Sequence, residues 1–169
     1  MIIKISNLSE GEHYLNQVGK VEELRLTEPF KGNYDVSVKV AKTHHQIVLD
    51  TSISVVAHFE CDRCAEEFDH QIAVKYQMVY LFGEDKEIRE NDDANFAYLS
   101  IETDKIDITK DIHDFCLISI PLKKLCKEDC KGLCFKCGVN LNVGECSCTK
   151  EEVDARWQPL LDLKSKLNN

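Results

Sequence analysis

The chain has 169 residues, is 43% hydrophobic and carries a formal charge of −9, so it can build one core of ordinary domain size with room for a small metal-organised appendix. No uncharged run approaches the roughly 18 apolar residues needed to span a bilayer, and the acidic balance disfavours non-specific attraction to phosphate backbones. Met1 to Ser6 holds no basic region leading into an apolar stretch, so the chain reads as cytoplasmic and its nine cysteines as reduced thiols.

In chain order, Ile2 to Ile5 reads as a short strand and Ser9 to Val18 as a helix, with Ser9 as its cap and Glu12 completing a capping box. After Pro29 and Gly32, Tyr34, Val36, Val38 and Val40 alternate with Asp35, Ser37 and Lys39, the period of a half-buried strand. His44-His45 reads as an exposed turn. Strand character resumes at Ile47 to Leu49 and Ile53 to Phe59, separated by the turn candidate Asp50-Thr51. Beyond Cys64, Ile72, Val74, Tyr76, Met78, Tyr80 and Phe82 alternate again. The gap between these last two strand regions is too short for a parallel crossover, so they predict a hairpin with Cys61 and Cys64 at its tip.

An acidic loop follows over 83–107, and between Glu84 and Asp107 nine acids face three bases. It reads first as a solvated loop and second as a surface for a basic partner such as a ribosomal protein. Asp107 to Ile112 opens an amphipathic helix with Ile108, Ile112, Phe115 and Leu117 or Ile118 on its apolar side, stopped by Pro121. Cys116 reads as a core residue. The fold class is therefore α+β: an antiparallel, strand-rich N-terminal half with few helices over 1–122, and a C-terminal zinc-knuckle segment over 123–150. A terminal helix over 151–169, with Trp157, Leu160, Leu161 and Leu163 to Leu167 as its apolar stripe, is expected to pack on the domain.

Eight of the nine cysteines have metal-ligand spacing: Cys61 and Cys64, then Cys126, Cys130, Cys134, Cys137, Cys146 and Cys148. A tetrahedral ion wants four soft thiolates, and a Cys-x2-Cys turn aims two sulfurs at one point. Gly138 suits the sharp reversal after the second such turn. Two zinc ions are expected, an iron–sulfur cluster being the alternative for the same donor set. The segment from Cys126 to Cys148 has few large apolar residues, so metal must supply much of its folding free energy, on the order of 10 kcal/mol per site. Two partitions are open. In one, Cys134, Cys137, Cys146 and Cys148 form a local set and Cys61 and Cys64 join Cys126 and Cys130; in the other, Cys61 and Cys64 join Cys134 and Cys137. The first needs less chain closure.

Ligands that come in fours leave no open metal position, and the six histidines form no His-Glu-x-x-His pattern. No nucleophile elbow or phosphate-binding loop occurs, so the chain reads as no enzyme. His58 and His70, flanking the first turn, are candidates for support of the ligands.

The stretches Phe59-Glu60-Cys61-Asp62-Arg63-Cys64, Ile120-Pro121-Leu122 and Cys130-Lys131-Gly132-Leu133-Cys134-Phe135-Lys136-Cys137-Gly138-Val139-Asn140-Leu141-Asn142 resemble the YceD family, the bacterial large ribosomal RNA subunit accumulation proteins with plastid relatives. The resemblance covers nearly the whole chain. One departure is Phe135, where many relatives carry proline; family members also often lack the distal cysteines. The resemblance implies a non-enzymatic factor supporting accumulation or processing of large-subunit ribosomal RNA, and hence ribosome assembly. Arg63, Lys123, Lys124, Lys127, Lys131 and Lys136 are the candidate contacts to RNA or a partner, with Phe135 available for stacking. The alternative is a zinc-organised adaptor that uses its acidic stretch on a basic ribosomal protein without touching RNA. Arg63 also has a plainer reading as a solvated turn residue balancing Asp62 and Glu60.

Overall fold

Alternation at period two produces three long strands, β3 (Phe30–Lys42), β4 (Gln46–Glu60) and β5 (Glu67–Phe82), each more than twice the usual strand length of about five or six residues. The computed structural model describes residues 1–83, 95–148, 155–157, 159, 160, 163 and 166. With β2 (Gly11–Lys20) and β6 (Phe96–Leu99), the three strands make a five-stranded sheet in the order β2-β3-β4-β5-β6. All neighbours are antiparallel except β5 and β6, which run parallel. A second sheet of two short antiparallel strands pairs β1 (Ile2–Lys4) with β7 (Lys105–Asp107).

One face of the large sheet is apolar and covered. Val36, Val38 and Val40 of β3, Ile47, Leu49, Ile53 and Val55 of β4, and Ile72, Val74 and Met78 of β5 are all buried there. The covering layer is made by Ile3 and Ile106 from the small sheet, by Val21, Leu24 and Leu26 around a single 3-10 turn, and by Ile108, Ile112 and Cys116 of the helix. That helix, α1 (Thr109–Ile118), starts where Asp107 Oδ1 accepts the backbone N–H of Thr109 at 3.0 Å, and stops short of Pro121. Phe115 stacks on Tyr76 of β5 at 4.1 Å with the rings 9° apart, which fixes helix to sheet. Leu117 and Ile118, expected on the apolar side, are exposed, and Cys116 takes the core position.

Two local expectations fail. Residues 9–18 form no helix: from Gly11 the chain is strand β2, in unbroken register with β3 from Gly11 opposite Lys42 to Lys20 opposite Asn33. Glu12 closes no capping box but pairs with Lys39 across the strands at 2.7 Å, so non-local pairing overrides the local cap signal. Asp50-Thr51 is no turn either. β4 runs straight through, with Thr51 buried on the inner face and Asp50 on the outer, where it accepts Gln77 Nε2 at 2.6 Å.

The hairpin of β4 and β5 closes at its tip as expected, from Glu60 opposite Glu67, with the Cys61–Cys64 turn between. His44 and His45 are exposed in the β3–β4 turn. Of the expected acidic loop over 83–107, residues 84–94 lie outside the described residues, and the rest is not loop throughout: Phe96–Leu99 pairs with β5 and Lys105–Asp107 with β1, so sheet pairing overrides the charged composition. Much of the expected terminal helix also lies outside the described residues. Of that helix's apolar stripe, the described Trp157, Leu160 and Leu163 are exposed.

Candidate metal centres

The two Cys-x2-Cys turns are built on one hydrogen-bond pattern. In the first, Ala65 N–H donates to the Cys61 carbonyl and Cys61 N–H to the Glu66 carbonyl, both at 2.9 Å. In the second, Gly138 N–H donates to the Cys134 carbonyl at 2.8 Å and Cys134 N–H to the Val139 carbonyl at 2.9 Å. The residue after the second cysteine is left-handed in both, Ala65 at φ 56° and Gly138 at φ 73°. The reversal expected after Cys137 is therefore present, and the first turn makes it with alanine, at a cost of about 1 kcal/mol that glycine avoids.

The eight cysteines gather into two groups of four, each with its sulfurs within 4.8 Å of one another: Cys61, Cys64, Cys126 and Cys130 in one, Cys134, Cys137, Cys146 and Cys148 in the other. This is the first of the two partitions. All nine cysteines are free thiols, and Cys116 lies apart in the core. In the first group Cys61 and Cys130 sulfurs are 3.8 Å apart and Cys64 and Cys126 sulfurs 3.6 Å. A tetrahedral ion with metal–sulfur bonds of about 2.3 Å sets its sulfurs roughly 3.8 Å apart, so the donor set fits such an ion.

Electrostatics point the same way. Burial opposes ionisation of Cys61, but backbone N–H groups from Cys126, Arg63 and Cys64 outweigh it and bring the thiol down to about 6. Burial and the neighbouring sulfurs push Cys126 up to about 12. In the second group the backbone N–H groups of Cys137 and Lys136 bring Cys134 down to about 6, while its bond to Cys137, together with burial, sends Cys148 up to about 12. Four sulfurs this close cannot all ionise on their own; a divalent cation between them removes the conflict.

Around the first group the chain is stitched by residues that motif spacing did not single out. Asn142 Nδ2 donates to Cys130 Sγ at 3.3 Å, and Asn142 Oδ1 accepts Lys131 N–H at 2.9 Å. Asn140 Nδ2 reaches Glu66 Oε1 at 3.1 Å, back on the hairpin. Asp62 and Lys124 exchange bonds, Lys124 N–H to Asp62 Oδ2 at 2.7 Å and Asp62 N–H to the Lys124 carbonyl at 2.8 Å. The two asparagines were visible only as letters of the Gly-Val-Asn-Leu-Asn tail; their partners are distant in sequence. His58 is engaged elsewhere, with Asp69 at 2.7 Å, and His70 sits against the rings of Phe59 and Phe68, so neither supports the sulfurs in the described contacts.

Of the candidate contact residues, Arg63 is exposed but engaged: its Nη1 donates to the Cys130 carbonyl at 2.8 Å and fastens the Cys130 loop to the hairpin tip. Lys124 lies with its ammonium 5.4 Å from the Phe59 ring centre. Lys123, Lys127, Lys131 and Lys136 are exposed, as is Phe135 at 80%. Beside the first group, Lys31, Phe59, Arg63 and Lys124 are among the residues lining a groove of about 870 Å³.

The fold and the paired thiol sets define a sheet protein whose longest hairpin is clamped at its tip to a cysteine-rich tail. The chain belongs to the YceD family: the family profile described as "Large ribosomal RNA subunit accumulation protein YceD" matches residues 49–164. It is 31% identical over 173 residues to a chloroplastic YCED homolog 1 of Arabidopsis thaliana named as a large ribosomal RNA subunit accumulation protein, covering 85% of this chain and 54% of that one. The corresponding Zea mays protein is 29% identical over 70% of this chain and 49% of its own length. An uncharacterized protein of Mycobacterium tuberculosis is 24% identical over 76% of this chain and 61% of its own. The chain thus spans about half the length of the plant relatives. No solved structure matches. No described helix is long and apolar enough to cross a membrane.

Proposed function

We propose that the chain is a non-enzymatic, cytoplasmic factor that supports accumulation or processing of large-subunit ribosomal RNA during ribosome assembly, with two structural zinc ions held by the two cysteine groups. The observation that carries the reading is the family membership joined to the fourfold thiol sets. Four protein donors leave a bound ion no open coordination position for substrate or water. The zinc ions would hold the tail rigid against the hairpin tip, so that Phe135 and the exposed lysines 123, 127, 131 and 136 meet RNA, the aromatic ring by stacking and the lysines at phosphates. Purified without chelator under reducing conditions, the protein is expected to carry close to two zinc ions. Elemental analysis finding less than about half an ion per chain would rule out the metal assignment.

A second reading rests on charge. Residues 1–109 carry a formal −10 and residues 110–169 a formal +1, which suits a basic ribosomal protein on the N-terminal half. Depleting the protein is expected to lower mature large-subunit RNA relative to small-subunit RNA, and an unchanged ratio overturns the assignment. Reversing charge at Lys123 and Lys127 separates the two readings. Loss of function with a salt-sensitive loss of RNA binding supports direct contact, whereas full function there together with failure on neutralising the acids from Glu84 to Asp107 supports the adaptor.

A further inference from the structure

The large sheet ends on β2, and among the described strands β2 pairs with β3 alone. An edge strand turns a row of backbone N–H and C=O groups outward, and proteins usually blunt such an edge with proline, a bulge or a short run. β2 has none of these: it is ten residues long, holds no proline and keeps continuous register with β3. Two large apolar side chains stand exposed on its outer face, Tyr14 at 69% and Val18 at 66%. They sit two residues to either side of Asn16. Glu12 and Lys20, of opposite charge, sit four residues to either side, Glu12 also holding Lys39 of its own chain through one carboxylate oxygen at 2.7 Å.

We infer that the free edge of β2 binds a second copy of this chain as an antiparallel strand pair with its two-fold axis at Asn16. A two-fold interface must be self-complementary, each residue meeting its counterpart across the axis. With Asn16 on the axis, Tyr14 lies opposite the partner's Val18 and Glu12 opposite the partner's Lys20. An aromatic then meets a β-branched side chain and an acid meets a base, the cross-strand pairs that stabilise sheets. Other registers do worse. Centring on Leu15 or Gln17 places Val18 opposite Glu12 or Asn16, and centring between two residues sets inward side chains against outward ones, which the pleat forbids. The two sheets join into one of ten strands, with the polar outer faces continuous.

The test is the mass of the full zinc-loaded protein in solution, by sedimentation across a dilution series. The wild type is expected at twice 19.4 kDa when concentrated, dissociating on dilution. Asn16→Lys sets like charges facing each other on the axis and is expected to give the 19.4 kDa monomer. Lys20→Glu is expected to weaken the dimer about tenfold or more, and adding Glu12→Lys to it to restore the affinity. Circular dichroism identifies any variant that has lost its fold, and the charge-swap pair then decides. A wild type that stays monomeric at every concentration overturns the proposal, as does a dimer indifferent to Asn16→Lys or a Lys20→Glu loss that the swap fails to rescue.

Discussion

Replacing Cys130 with serine is expected to detach the cysteine-rich tail from the hairpin while the large sheet stays folded. Cys130 is 3% exposed and is the sulfur on which Asn142 and the first metal group converge. Its loss weakens a four-thiolate site worth on the order of 10 kcal/mol and leaves the tail with little apolar burial to replace it. The sheet core excludes the cysteine groups, sharing with the first of them only half-buried Phe68 at its margin, so it has no reason to melt. Cys137→Ser is the contrasting variant. Cys137 is exposed and its partners all lie within fifteen residues, so damage should stay within the local loop and the first group should keep its ion. Hydrogen exchange separates the two: fast exchange from residue 123 onward in the Cys130 variant, confined to 134–148 in the Cys137 variant. Equal exchange across sheet and tail in either variant would show that the tail is integral to a single core.

Gly132→Ala should injure the same joint without touching a ligand. Gly132 is left-handed at φ 75°, and a Cβ there would stand 2.9 Å from the Arg63 carbonyl oxygen. That oxygen accepts Leu133 N–H at 2.9 Å, and the Gly132 carbonyl accepts Leu141 N–H at 2.9 Å, so neither chain segment can retreat without losing a bond. Strain and lost bonds together are expected to cost about 2–4 kcal/mol. The measurable sign is earlier zinc release to a chromogenic chelator on heating, with the sheet's own unfolding unchanged. Gly138→Ala serves as the control, because its φ of 73° is similar but no atom lies within 4 Å of the added methyl, so only the conformational part of the cost remains. Equal effects from the two substitutions would remove the Arg63 contact from the explanation.

How legible each part was depended on whether its signal was local. The alternation of Tyr34 to Val40 and of Ile72 to Tyr80 records one buried face directly, and β3 and β5 follow it. The hairpin tip follows from the short gap, and the grouping of the eight cysteines from the low closure cost of a set spanning 134–148. β2 was misread because an edge strand shows polar residues on both faces: Gln17 points inward to Tyr34 Oη at 2.8 Å, and Leu15 is only half-buried. With no clean alternation, the Ser9 and Glu12 spacing prevailed. Asp50 and Thr51 looked like a turn because their partners, Gln77 for Asp50 and the inner layer for Thr51, lie on other elements. Arg63 was legible as an exposed base beside two ligands but not as a clasp, since the Cys130 carbonyl it holds is 67 positions away.

The same distances set an order of events. Cys134, Cys137, Cys146 and Cys148 can meet as soon as one short loop closes, whereas Cys61 and Cys64 cannot reach Cys126 and Cys130 until the hairpin has paired and the intervening chain has come back past the sheet. Closing that wider circuit is expected to be the slower search, because long-range contacts return nothing until the ends arrive. Closure of the first site is therefore expected to follow pairing of the β4–β5 hairpin, and an ion seated there would report that pairing in a way that the second site, local to the tail, cannot.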